Sequence, residues 1–147
     1  MKEGLLMELL YKENAITAEE VLRFQQKMGW IVDPPALWRH SLAHTLYAVG
    51  AYCGGELVAM DRLLGDGAMY WYINDVFVQT EYQGHGIGRA VMNQLLAYIK
   101  EHGVPGTVAS VHLFCAKGKE GFYEKLGFRP YPHEDGGPGM GLELPIG

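Results

Sequence analysis

Apolar residues recur in two rhythms along the chain, and the change from one to the other marks its elements. Val21, Phe24 and Met28 fall at helical spacing, which predicts a helix over 17–28. Thr17-Ala18-Glu19-Glu20 precedes them as a capping box, in which Thr17 accepts from the amide three residues on and Glu20 reaches back to the Thr17 amide. Ile16 and Val21 take the two positions of a hydrophobic staple. Asp33-Pro34-Pro35 predicts a second, shorter helix with Asp33 as N-cap and Pro34 at its first position. Trp38 and Leu42 share one of its faces, and His40 and His44 another. Val91, Leu95, Tyr98 and Ile99 mark a third helix closed at His102-Gly103. A short fourth is expected from Glu120 to Leu126, stopped by Gly127.

The other rhythm is that of strands. Residues 5–11 read as an opening strand, although their Leu and Met also suit a helix. Residues 46–52 and 57–64 flank Cys53-Gly54-Gly55-Glu56, a hairpin turn. Residues 69–78 follow the turn Gly65-Asp66-Gly67 and are apolar on both faces, which suits a strand covered on two sides. Residues 107–114, a strand beginning at Phe128, and residues 140–144 complete the set, with a Pro- and Gly-rich loop over 129–139. The order predicts one α/β or α+β domain over 1–147, with a mixed, largely antiparallel sheet of six to seven strands and about four helices. Consecutive strands should be antiparallel, and the strand–helix–strand unit 69–113 parallel.

Composition narrows the function. At 147 residues with 48% hydrophobic and 20% charged, the chain can bury a core without metal or disulfide. Its two cysteines, Cys53 and Cys115, lack the spacing of a zinc site. A net charge of -5 argues against nucleic acid and is compatible with a cationic substrate. No run of ~18 apolar residues suggests a membrane span, and the opening residues do not read as a signal peptide, so the expected location is the cytoplasm. His40 and His44 lack the accompanying Glu of a metal-binding helix, so no metal is expected.

The chemistry-bearing segment is Gln83-Gly84-His85-Gly86-Ile87-Gly88, between a strand and a helix. Glycines there permit a tight turn and close approach of a ligand to bare backbone. Free amides at the helix start, with the helix dipole, make a phosphate or pyrophosphate site. A dinucleotide fingerprint is excluded, because Arg89 stands where its last Gly is required, and the Gly-Lys-Ser/Thr of a Walker loop is absent. Val76-Phe77-Val78 followed by Gln83-x-x-Gly86-x-Gly88 resembles the signature of the GCN5-related N-acetyltransferase (GNAT) family. Gly121-Phe122-Tyr123-Glu124-Lys125-Leu126-Gly127-Phe128 resembles a second motif of that family, in its usual order. The resemblance covers about residues 56–128. Ala116 departs from it, standing where many members carry asparagine.

The resemblance implies acetyl-CoA as acetyl donor, a primary amine as acceptor, and a central strand splayed from its parallel neighbour near Asn74-Asp75. A one-residue bulge there would place Trp71, Ile73, Val76 and Val78 on one face, although uninterrupted alternation also leaves both faces apolar. The resemblance assigns pantetheine to the backbone of Val76, Phe77 and Val78, and pyrophosphate to Gln83, Gly84, His85, Gly86, Ile87 and Gly88. It assigns to Tyr123 the role of general acid for the departing thiolate. Asp75, an acid in an apolar strand, is the candidate general base, with His85, His112 and Glu81 as competitors. A small-molecule amine is the expected acceptor; a protein or peptide amine and a non-catalytic acyl-CoA-binding module are the alternatives. The family's frequent dimers make a homodimer a further expectation.

Overall fold

A computed structural model describes residues 8–147, which fall into two compact units divided after Leu113. The first unit holds a five-stranded sheet in the order β1-β2-β3-β4-β5. Its strands are β1 (Leu10–Glu13), β2 (Tyr47–Cys53), β3 (Glu56–Gly65), β4 (Tyr70–Val78) and β5 (Ser110–Leu113). Neighbours are antiparallel except β4 and β5, which are parallel, as expected for strands joined through a helix. The family's mixed, mostly antiparallel architecture is present with one open sheet and four α-helices among the described residues. Part of the expected opening strand, residues 5–7, lies outside the described residues, and β1 forms just beyond.

The helix α1 (Ala18–Met28) begins as its sequence dictates. The Glu20 amide donates to Thr17 Oγ1 at 3.2 Å, and the Thr17 amide donates to Glu20 Oε1 at 2.9 Å. Ile16 and Val21, the staple pair, are both buried. Gly29 ends the helix in the left-handed conformation. The next helix, α2 (Pro35–Ala43), starts one residue later than expected, with Pro34 as N-cap. Asp33 is not its cap. Its carboxylate instead accepts from Gln25 Nε2 at 2.7 Å and Trp38 Nε1 at 2.9 Å, tying α1 to α2. A tertiary acceptor role has displaced a local one.

Both helices pack over one face of β2 and β3. Val21, Phe24 and Trp38 meet Ala48, Tyr52, Leu57 and Met60 in one buried cluster. Gly50 lies under it, where a Cβ would come within 2.8 Å of the Tyr52 ring. The long helix α3 (Ile87–His102) lies against β2, β3 and β4. It buries Val91, Leu95 and Ile99 of the expected stripe and Met92 besides, while Tyr98, the fourth residue expected there, is half-buried. Every residue of β2 is buried. By contrast Tyr70 and Tyr72 on β4 are exposed while Trp71 and Ile73 are buried. The strand expected to be covered on both faces is thus covered on one in its first half, because the cluster under α1 and α2 is centred on β2 and β3.

The hairpin turn forms as expected. Cys53 pairs with Glu56 across Gly54 and Gly55, whose φ of 58° and 80° are those a two-residue hairpin requires. At the following turn, the Asp66 carboxylate accepts the amides of Ala68, Met69 and Tyr70, which hold it below the ordinary carboxylate range. Strand β5 is shorter than the expected 107–114, since Thr107 is drawn into a turn in which its amide and hydroxyl both donate to the Val104 carbonyl.

The second unit, Phe114–Gly147, contains α4 (Glu120–Glu124). Gly127 follows with φ 100°, as its place after a helix predicted. The strands expected from Phe128 and over 140–144 are absent among the described residues, and the sheet has five strands rather than six to seven. Pro130 and Pro132 remove ladder donors after Phe128. Met140, Leu142 and Leu144 keep the alternation of a strand, but they are exposed and the segment forms no ladder. No helix among the described residues is long and apolar enough to cross a membrane.

Candidate functional site

Strand β4 changes partners along its length. Its parallel ladder with β5 runs from Tyr70↔Ser110 to Ile73↔Leu113 and ends, while β4 continues along β3 to Val78. At that point the antiparallel register slips. Met60 pairs with Phe77 and Arg62 with Asn74, so two steps on β3 span three on β4. The extra residue is a bulge at Asp75-Val76. Directly paired residues share a face, so Phe77 lies with Met60 under α1, where its ring meets Trp30 at 4.8 Å and Phe24 at 6.0 Å. Val76 and Val78 consequently fall on the other face with Trp71 and Ile73. This is the arrangement that a one-residue bulge was expected to produce.

Asp75 occupies the bulge with φ 53°, a left-handed conformation uncommon for any residue but glycine. Its carboxylate does not stand alone. Arg62 Nε donates to Asp75 Oδ2 at 2.7 Å, in an ion pair whose side chains are 11% and 24% exposed. Of the competing bases, Glu81 pairs with Lys27 at 3.2 Å. His112 lies beside Tyr72 across the β4–β5 pair, and His85 lies in the glycine loop.

Beyond Val78 the chain is held before it turns. The Gln79 amide donates to Val58 O, and its side chain donates to Leu57 O, both at 2.9 Å. A 3₁₀ turn over Thr80–Tyr82 follows, with Tyr82 buried and its phenol pushed up to about 12, chiefly by a hydrogen bond with Cys53 and then by burial. Gln83 Nε2 reaches back to Val78 O at 2.9 Å. Gly84 and Gly86 then take φ of 79° and 80°, with nothing within 4 Å of where a Cβ would stand. Glycine is needed here for backbone conformation, and the space beside it is open.

Gly86 is the N-cap of α3, which has no side-chain cap and no acid in its first turn. The first bond back to the cap is from the Ala90 amide to Gly86 O, at 3.0 Å. The earlier amides of the turn, from Ile87 to Arg89, have no partner within the helix and gather at its positive end. An anion is the natural complement. Gly88 lies inside the first turn rather than ahead of it. The residues that the resemblance assigns to cofactor binding, Val76 to Val78 and Gln83 to Gly88, are separated by the 3₁₀ turn and linked by the Gln83–Val78 hydrogen bond, with Asp75 just ahead of them.

Tyr123 belongs to the second unit. It is half-buried on α4, with Phe122 and Phe128 ring centroids at 5.0 and 6.1 Å. Its carbonyl accepts the amides of Leu126 and Phe128, which builds the turn around Gly127. His40 on α2 and His44, which caps that helix, stack at 4.3 Å. Among the described residues, no three His, Cys, Asp or Glu side chains gather as a metal site.

Sequence reasoning missed Arg62 and Asp61. The signal was present: two charged residues side by side inside the apolar run 57–64 pose the same question as Asp75 in its own strand.

The fold that these elements define is that of acetyltransferases. A Staphylococcus aureus protein described as a probable acetyltransferase is 26% identical, with TM-score 0.80 over 92% of this chain and 99% of that one. A GNAT-family acetyltransferase from Streptococcus pneumoniae is 28% identical, with TM-score 0.75 over 92% and 98%. Among curated relatives, the rice (Oryza sativa subsp. japonica) serotonin N-acetyltransferase 2, chloroplastic, is 38% identical over 78 residues, 53% of this chain and 37% of that protein. The uncharacterized N-acetyltransferase ycf52 of Porphyra purpurea is 27% identical over 85% of this chain and 71% of its own length. The acetyltransferase (GNAT) family model matches residues 13–128, and the chain belongs to that family.

Proposed function

We propose that the protein transfers an acetyl group from acetyl-CoA to a primary amine, and that the amine belongs to a small molecule. The observation that carries this reading is the N-terminus of α3, turned by two left-handed glycines and left without a side-chain cap or acid. It follows, through the 3₁₀ turn and the glycine loop, a strand whose parallel ladder has ended. Acetyl-CoA fits these residues. In this reading the backbone of Val76, Phe77 and Val78 takes pantetheine as an added strand, and Gln83, Gly84, His85, Gly86, Ile87 and Gly88 surround the pyrophosphate. Bound there, acetyl-CoA supplies an activated acyl carbon.

The remaining chemistry falls to the chain. Asp75, held by Arg62, accepts the proton of the incoming ammonium directly or through a water. Tyr123 delivers its phenolic proton to the departing sulfur, a transfer only mildly uphill between groups with ordinary pKa values of about 10 and about 8.5. The net charge of -5 complements a cationic acceptor, and the rice relative's name supports a small amine.

The test is to incubate the protein with acetyl-CoA and a panel of small amines and peptides. Product is detected by mass, which avoids interference from the Cys53 and Cys115 thiols. The expected result is acetylation of small amines, with Tyr123→Phe lowering kcat at least about tenfold. Acetylation of peptides alone would move the acceptor to protein. Acetyl-CoA binding without any product would leave an acyl-CoA-binding module. An unchanged kcat in Tyr123→Phe would remove Tyr123 as the acid.

A further inference from the structure

Arg62 makes more contacts than an ion pair needs. Its Nε donates to Asp75 Oδ2 at 2.7 Å. Its Nη1 donates to Thr45 Oγ1 at 3.0 Å and to Ser41 O at 3.4 Å. The guanidinium carbon stands 5.1 Å from the centroid of the Trp38 ring. Thr45 Oγ1 itself donates to Ser41 O at 2.7 Å, so the hydroxyl is oriented to accept from Arg62. Ser41 lies in the last turn of α2, and its carbonyl, which already accepts the His44 amide at 3.2 Å, sits at the negative end of the helix, which favours a cation. One planar, rigid group therefore joins the centre of β3, the end of α2 and the bulge of β4.

That junction lies where geometry matters most for the proposed chemistry. Asp75 and Val76 are the residues of β4 that its register with β3 leaves without a partner, and Asp75 holds a left-handed backbone conformation. Aspartate tolerates that region better than most side chains when a polar partner holds it. Arg62 supplies that hold through Oδ2, and the same bond sets the plane of the carboxylate.

We propose that Arg62 is a positioning residue for acetyl transfer: by clamping Asp75 it fixes both the carboxylate and the bulged backbone of β4, and it couples them to the end of α2. The inference rests on the transferase reading above and assigns Arg62 no contact with the reacting atoms. It acts through Asp75, so its loss should affect turnover more than donor binding, which falls to the N-terminus of α3.

The experiment compares wild type, Arg62→Gln, Arg62→Lys, Asp75→Asn and the Arg62→Gln/Asp75→Asn double variant, with steady-state kinetics on an amine that the wild type acetylates. Arg62→Gln is expected to lower kcat by about 10- to 100-fold, the size of effect that misplacement of a reacting group produces, with the KM for acetyl-CoA changed less than about threefold. Arg62→Lys should recover part of the loss, because it keeps the charge but lacks the planar fork that spans Asp75, Thr45 and Ser41. The double variant should be no slower than the slower single variant. An acetyl-CoA-induced rise in melting temperature reports whether each variant is folded. If Arg62→Gln fails to fold, Arg62→Lys and its double variant with Asp75→Asn carry the same comparison. Unchanged kcat in the folded Arg62 variants, or losses that multiply with Asp75→Asn, would overturn the inference while leaving the transferase reading in place. Absence of transfer by the wild type itself would remove both.

Discussion

Asp61 neighbours Arg62 on β3, yet its situation is the opposite. It is fully buried; Oδ1 accepts the Val49 amide at 3.2 Å, and Oδ2 has no hydrogen-bond partner among the described residues. Burial pushes this carboxyl well above the ordinary range, and the Val49 amide opposes the shift only in part. A carboxyl with a raised folded-state pKa binds its proton more tightly in the folded protein than in the unfolded chain. Its contribution to stability is therefore complete below the unfolded value of about 3.9 and is lost as pH rises through the folded value. Asp61→Asn has no proton to lose at that position. Denaturant melts should show the variant gaining on wild type as pH is raised from about 4 to about 8. Curves that stay parallel over that range would mean that Asp61 titrates normally. The residue was visible in the sequence as an acid in an apolar run, but nothing local distinguished it from Arg62, which has three polar partners. Alternation turns one toward the α3 face and the other toward α2, and only the neighbours found there decide whether a charge is met.

At the scale of elements, the parts most legible in the sequence are those whose interactions close within about four residues. The start of α1 is the clearest case. Thr17, Glu20, Ile16 and Val21 specify its cap and entry angle locally, and Tyr52 adds one long-range donor to Glu20 Oε1 at 3.1 Å. Thr17→Ala should lower stability by about 1 kcal/mol, read as a fall in the denaturant midpoint with the slope unchanged. A negligible change would show that the packing of Val21 and Phe24 alone holds that end. The Gly54-Gly55 turn and the stripe of α3 were legible for the same reason. The start of α2 was not, because Asp33 had two uses, and the side chains of Gln25 and Trp38 outcompeted the helix amides for its carboxylate. The strands expected from Phe128 and over 140–144 failed on a different ground. Alternation states which way side chains would point, but a strand also requires a neighbour to take its backbone hydrogen bonds.

For the whole molecule, the family match over residues 13–128 takes in residues of both compact units. Donor binding can be tested on the intact chain. Acetyl-CoA at about 100 times its dissociation constant stabilises a folded protein by roughly 2.7 kcal/mol, on the order of 5–10 °C in melting temperature for a chain of this size. That rise is expected with acetyl-CoA and not with NADH or ATP. An equal rise with ATP would reduce the loop to a general phosphate site. No rise at millimolar acetyl-CoA would leave Gly84 and Gly86 as a structural turn.

What the sequence by itself determined is local and periodic: the capping box of α1, the two-glycine hairpin, the apolar stripe of α3, and the glycine loop at that helix's N-terminus. Each follows from contacts a few residues apart or from a repeat that matches one kind of backbone. The tertiary structure alone decided which charges meet. Arg62 is 13 residues from Asp75 and 21 from Ser41 along the chain, and the bulge of β4 becomes a held feature only when β3 and the end of α2 close around it. Burial and ion pairing depend on which elements become neighbours, and that depends on the free energy of the assembled core rather than on any one segment.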